Sequence, residues 1–304
     1  MQTTKTAPES TAPDLPAAPA VSLATRLRRA LRGAPLPAVA FLALVLGVAL
    51  LADLIVPHDP LTGDLRAYSL PPAWKAGGSV SYFLGTDLLG RDILSRIIMG
   101  ARISLIVAAA SIALGGVLGT VLGLLAGHFG GWIDEVIMRL VDTQLSLPSL
   151  LVALVALVVF GSSFTVLVIL IGVWLWPNYA RIVRGETLRI RRYDYISLAR
   201  IAGCSTWRIL FVHELPGIYN TLIVMATLQA GWVILLEGSL SYLGVGVPPP
   251  TPSWGSMIAE GRGDLASAWW ISMFPGLAML ATVLSLNLLG DWLRRTLDPK
   301  QVNQ

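Results

Sequence analysis

The residues able to do chemistry are few, and most of them gather in one stretch. From Tyr193 to Gly217 the chain reads YDYISLARIAGCSTWRILFVHELPG, placing Asp194, Arg200, Arg208, His213 and Glu214 between two long apolar runs. This set serves covalent catalysis and metal binding poorly. Cys204 is the single cysteine, which excludes an internal disulfide and a cysteine-based metal site. His58, His128 and His213 are scattered without HxxxH or HExxH spacing, and His213 beside Glu214 reads as a polar pair at a loop end. No GxxxxGK[ST] phosphate loop, nucleophile–base pair or paired intramembrane carboxylates occur. No catalytic or metal residue is therefore assigned, and a membrane-embedded enzyme finds no support. The chemistry left to this stretch is mechanical. Asp194 is expected to cap a short helix over 195–202, with Gly203 as its left-handed stop. Ser205 or Thr206 then caps a second helix, whose end Pro216 marks near the next apolar run. Two short helices anchored at both ends form a lever that can take force from a partner.

The surroundings of the lever are a membrane domain. Of 304 residues, 55% are hydrophobic and 13% charged, about half the charged share of a soluble domain; the mean hydropathy is +0.70. Uncharged runs cover Ala34–Ala52, Ile103–Gly127, Thr143–Ala180, Leu215–Leu236 and Leu265–Gly290. A spanning helix needs ~20 apolar residues. The run from 143 to 180 would make one helix of about 57 Å, nearly double the ~30 Å bilayer core. Gly161-Ser162-Ser163-Phe164 divides it into a hairpin, so the count predicts six spans. The fold class is all-α integral membrane protein. Arg and Lys concentrate in the N-terminal tail, in 181–208 and after the last span. With six spans these segments share one side, the cytoplasm by the positive-inside rule. The net charge of +4 thus reports topology, and no nucleic-acid partner is implied.

The expected organisation follows. Residues 1–33 form a cytoplasmic tail, disordered and then a basic amphipathic helix from Ser22 to Arg32. The first span lies in 34–56 and an extracytoplasmic segment in 57–100. A core of five further spans fills 101–293, including the loop 193–217 and an external loop 237–268. A cytoplasmic tail, 294–304, ends the chain. In the second span Gly115, Gly119, Gly123 and Gly127 mark one face, which suits either static close packing or sliding of a neighbouring helix. Residues 133–142 have the period of an amphipathic helix. Arg91 and Asp92 can pair with each other or with Asp87, or lie solvated in a turn. Glu237, the one candidate for the substrate pathway, can meet a substrate ammonium or an Arg, or serve as a hydrogen-bonded cap.

Four motifs carry a resemblance. Leu198-Ala199, Gly203 and Leu215-Pro216 resemble the E-A-A, G, L-P pattern of the coupling loop in ABC importer permeases, with Ser197 where that family has Glu. Gly85 to Asp92, GTDLLGRD, resembles the signature before the second span in peptide and nickel importer permeases. EGSLSYLGVGVPPPTPSWG, from Glu237 to Gly255, and GDWLRRTLDP, from Gly290 to Pro299, resemble two further strings of the same family; in the latter, Arg295 replaces Asp. The resemblance covers most of residues 80–300. It implies the type I ABC importer permease fold, in the second permease of a dipeptide, oligopeptide or nickel system. It further implies that Ser197, Leu198, Ala199, Gly203, Leu215 and Pro216 face an ATPase. The implied partners are a homologous permease, two cytoplasmic ATPase subunits that bind ATP and Mg, and an extracytoplasmic substrate-binding protein, assembled in a bacterial inner membrane with both termini cytoplasmic. This chain would bind no cofactor itself. The same role for nickel, glutathione or another small solute stays open. An ion-coupled secondary transporter is the rival, weakened by spans nearly free of ionisable residues.

Overall fold

The computed structural model describes residues 33–297. The expected N-terminal tail, its basic helix from Ser22 to Arg32, and the residues after Leu297 lie outside that range. The architecture is helical. Helix α1 covers Leu36–Leu50 and is prolonged by one turn, Ala52–Ile55. Helix α2 runs over Ile93–Phe129, where the Asp92 side chain accepts from the Ser95 amide and satisfies one orphan donor of the first turn. Gly130 and Gly131, both at positive φ, turn the chain into α3, Gly131–Leu145. After Ser146–Pro148 comes α4, Ser149–Phe160, bent by 86° from α3. Gly161, at φ 83°, closes the expected hairpin, and Ser163 caps α5, Phe164–Ile190.

Helix α6 is short, Asp194–Ile201. The turn Thr206–Arg208 and a π-helical segment, Ile209–Glu214, then run unbroken into α7, Leu215–Tyr242. Helix α8, Trp254–Gly261, starts with a capping box between Ser253 and Ser256, and α9 covers Trp270–Leu297. Among the described residues, four helices are long and apolar enough to cross a membrane: α2, α5, the helix from Thr206 through α7, and α9. The bent pair α3–α4 makes a fifth crossing when counted as one span, and α1 is a shorter apolar helix. The apolar runs predict six spans; the break at 146–148 falls where the amphipathic helix expected over 133–142 meets the third of them, and α1 falls short of the ~20 residues a span needs.

The glycine face of α2 packs on α5. A Cβ on Gly123 would lie 2.6 Å from the Ala180 carbonyl oxygen, and one on Gly127 would lie 2.7 Å from Thr187 Cβ. Gly115 and Gly119 are as tightly opposed, by the backbone at Gly172 and Trp176. Where lipid offers no hydrophobic drive, such backbone contact supplies the van der Waals energy of association. Of the two readings of this face, the structure has close packing within one chain. Leu167, Ile171 and Leu175 of α5 continue the seam into a core with Val107 of α2 and Val233 and Ile234 of α7.

Candidate coupling site

Helix α6 ends in a Schellman arrangement. Gly203, at φ 78°, donates to the Arg200 carbonyl at 3.0 Å, and Cys204 donates to Ala199 at 3.0 Å. Both bonds satisfy carbonyls that the helix end leaves free, and the left-handed residue between them favours glycine. A Cβ at Gly203 would meet nothing within 4 Å. The constraint there is backbone strain alone, not a clash with a neighbour. At the other end the expected cap differs: Tyr193 is the N-cap residue and lends no side-chain bond, while Asp194 is the first helical residue. There its carboxylate favours the positive end of the helix dipole.

Ser205 takes the second expected cap, accepting from the Arg208 amide at 3.4 Å. Pro216 does not end that helix. It sits at the second position of α7, directly after the π-helical turn, in which the Leu215 amide bonds back to Leu210. A proline in a continuous helix loses one hydrogen bond and presses on the preceding turn. The wider turn before it gives the ring room and keeps the helix intact.

This lever is fastened from below by apolar contact. Ile196, Ile209 and Leu210 are buried with Leu124 of α2, Val183 and Ile190 of α5, and Ile218 of α7, while Leu215 packs at the margin of the same cluster. Behind them lies one polar pair. Glu214, fully buried, faces His128 near the end of α2, with its two oxygens 2.9 and 3.0 Å from Nδ1. Arg191 Nη1 donates to the Gly127 carbonyl at 2.8 Å, serving the same helix end. Glu214 thus pairs across to α2, while its neighbour His213 lies against the Tyr195 ring. Burial, then the nearby Tyr193 and Glu214, push the Tyr195 hydroxyl above the ordinary tyrosine range.

The outward side of the lever exposes large apolar residues among the charges of Asp194, Arg200 and Arg208. Leu198 is 64% exposed, Ile201 84% and Trp207 60%, and Trp207 stacks on the exposed Phe211 at 6.1 Å. Among the residues expected to face a partner, Ser197, Leu198, Gly203 and Pro216 are exposed, and Ala199 and Leu215 are half-buried. All but Leu215 and Pro216 cluster on α6 and its C-terminal turn. Ile201, Trp207 and Phe211 escaped the sequence reading, since an apolar residue beside a membrane span reads as core. An exposed apolar surface of this kind marks a contact with another protein or with the membrane.

The opposite end is closed by charge. Arg91 Nε donates to Asp87 at 2.7 Å, and Arg91 Nη2 donates to Glu260 of α8 at 2.9 Å. Arg96 donates to both oxygens of Glu260 at 2.7 and 3.0 Å, and also to Asp87. Asp87, Arg91 and Arg96 are buried; of the readings open to Arg91, pairing with Asp87 holds in place of a solvated turn, within a neutral cluster of two cations and two anions. Asp92 takes no part in it, because it caps α2. Trp270 of α9 donates to the Thr86 carbonyl at 3.2 Å, and Trp254 of α8 donates to Ile97 at 3.1 Å. Glu237, 1% exposed, accepts from Ser241 at 2.6 Å and from Ser104 of α2 at 3.4 Å, a hydrogen-bonded junction between α7 and α2.

Matches with known proteins span both ends. The model of a family described as "Binding-protein-dependent transport system inner membrane component" matches residues 119–303. The chain is 41% identical over 260 residues to the glutathione transport system permease protein of Pectobacterium atrosepticum, covering 86% of this chain and 85% of that one. It is 43% identical over 264 residues to the di/tripeptide transport system permease protein of Pseudomonas aeruginosa, covering 86% and 87%. Against the dipeptide transport system permease protein of Escherichia coli strain K12 it is 43% identical over 260 residues, again 86% and 87%.

Proposed function

The chain belongs to the family of binding-protein-dependent transport system inner membrane components, as a multi-pass transport permease; from that premise we propose that it forms half of the pathway of an ATP-driven peptide importer. Its partners are a homologous permease, two ATPase subunits that carry ATP and Mg, and a substrate-binding protein on the far side. The Arg-rich end with α6 faces the cytoplasm, and both termini lie on that side of a bacterial inner membrane.

The observation that carries this reading is the exposed apolar lever on a buried anchor. ATP binding draws the two ATPases together and loads Leu198, Ile201 and the turn at Gly203. The load passes through Ile196 and the Glu214–His128 contact to α2, and through the π-helical turn to α7. The spans behind it move as packed units, since the glycine seam leaves no room for α2 and α5 to separate cheaply. The pathway alternates, and the binding protein delivers solute when it opens outward. Peptides are the solute class because two of the relatives described above carry di- or tripeptides by name. Glutathione, a peptide of unusual linkage, is the second reading, supported by the Pectobacterium relative.

The test is uptake of labelled dialanine by cells of the native host with and without this gene, with glutathione as competitor. Loss of dialanine uptake on deletion, restored by the gene, supports peptide import. Uptake unchanged by deletion overturns it, and competition by glutathione alone moves the solute to the second reading.

A further inference from the structure

Two clefts open on one face of α5 and α7. The first, about 380 Å³, is bordered by Ser149, Trp174, Asn178, Gln229 and Trp232. The second, about 510 Å³, lies toward the lever and is bordered by Ile182 and Glu186 of α5 and Thr221 and Met225 of α7. On α5, Trp174, Asn178, Ile182 and Glu186 recur every four residues; on α7, Thr221, Met225 and Gln229 do the same. Residues four apart share a helix face, so the clefts are two parts of one groove. Asn178 and Gln229 stand midway along their helices.

Three observations set this face apart from lipid. The carboxamides of Asn178 and Gln229 are half-buried and form no hydrogen bond to another described residue. Unpaired amides are costly in hydrocarbon, and polar residues of spanning helices turn toward an interior or a watery cavity. One turn from Asn178, Arg181 pairs with Asp142 at 2.8 Å, with side chains 54% and 69% exposed; a charged pair this open belongs to an aqueous surface. The break between α3 and α4 also reaches this level, since Gln144 Nε2 donates to the Val173 carbonyl of α5 at 2.8 Å. Irregular backbone at membrane depth is tolerated where it lines a cavity or is buried in protein, and broken spans frame solute sites in many transporters.

We propose that this groove is the wall along which the solute passes, and that Asn178 and Gln229 are its specificity-determining residues. A carboxamide offers a donor and an acceptor together, as a peptide bond does, so the two side chains pair with the main chain of a passing peptide. The half-buried Trp232 and the margin of the buried Trp174 complete the wall with apolar contact for side chains of any type. The first cleft lies within the ~300–1,000 Å³ range of small-molecule sites. Recognition of the main chain accepts peptides whatever their side chains. The inference rests on the peptide reading proposed above.

The test uses the assembled transporter in inside-out vesicles and a membrane-impermeant charged maleimide. The wild type, whose single cysteine is Cys204, sets the background, and Val107→Cys, at a fully buried position, sets the floor. Asn178→Cys and Gln229→Cys are expected to react at least tenfold faster than Val107→Cys, and dialanine is expected to slow both. In whole cells, Asn178→Leu and Gln229→Met, at unchanged amounts in the membrane, are expected to lower uptake of dialanine and of glycyl-phenylalanine alike by about tenfold, the scale of one lost hydrogen bond to a buried partner. Labelling no faster than Val107→Cys, or full uptake in both apolar variants, overturns the proposal. A wild type that takes up neither dipeptide overturns the peptide reading and the carboxamide pairing with it; labelling then still decides whether the groove is aqueous.

Discussion

At one end of the helical body, the buried Arg91, Arg96 and Asp87 form a cluster with the more open Glu260 that ties α8 to the start of α2. At the other, Ile196, Ile209 and Leu210 press a short exposed helix onto the spans, with the His128–Glu214 pair behind them. The first end is built to resist change. Its charges are satisfied only in one arrangement, and a displacement of α8 would leave buried ions without partners. The second end is the one that the proposed coupling would load. Apolar contact is non-directional and tolerates small sliding, while the exposed Leu198, Ile201 and Trp207 leave a surface for another protein. Rigidity and reception are therefore separated along the length of the same helices, α2 and α7, which reach both ends.

The contrast breaks most visibly at Arg96. Replacing it by methionine keeps the alkyl packing but leaves two carboxylates with one guanidinium, at a cost of about 3–5 kcal/mol. The expected result is a thermal midpoint well below wild type in detergent, together with low yield; an unchanged midpoint would show that the cluster holds nothing. His128→Leu comes next. It strands the fully buried Glu214 carboxylate and is expected to cost about 2–4 kcal/mol. Restoring a hydrogen-bond donor with His128→Gln should recover part of the loss in the same melting experiment, and no recovery would mean that packing alone is at stake.

Gly203→Val sharpens the comparison from the receiving end. A β-branched residue at φ 78° costs about 1–2 kcal/mol and opens the Schellman turn. Global stability should fall little, whereas peptide uptake per ATP hydrolysed in reconstituted vesicles should fall severely. Normal coupling in that variant would remove Gly203 from the lever. Ile201→Glu is the smallest in stability, within about 0.5 kcal/mol for so exposed a position. Uptake should nevertheless be lost, and wild-type uptake would show that this face meets no partner. Along the series the effect on stability shrinks as the effect on transport grows.

Local rules made the short helix and several features of the spans legible. Gly203 as a left-handed stop, Ser205 as a cap, the hairpin at Gly161 and the glycine face of α2 follow from single residues and short spacings, and the structure has all four. Asp194 misled because an acidic residue is favoured both as a cap and in the first helical turn. Pro216 misled because a π-helical turn, which no sequence spacing announces, lets the helix pass through it. Pairing of Arg91 with Asp87 was open to sequence reading, whereas the long-range pairs at either end were not. Arg96 and Glu260 are 164 positions apart, and His128 and Glu214 are 86 apart, so nothing near either residue signals its partner. The break between α3 and α4 lies at Pro148, a residue that bends helices, but composition counts length and does not give its 86° angle.

The most direct measurement of the coupling account is purification of the tagged chain from its own host in mild detergent, wild type beside Ile201→Glu, with mass spectrometry of the proteins recovered. The account predicts that wild type brings a second permease and an ATPase, and that Ile201→Glu keeps the permease and loses the ATPase. A wild-type chain that purifies alone and monodisperse, or a variant that retains the ATPase in full, would contradict it.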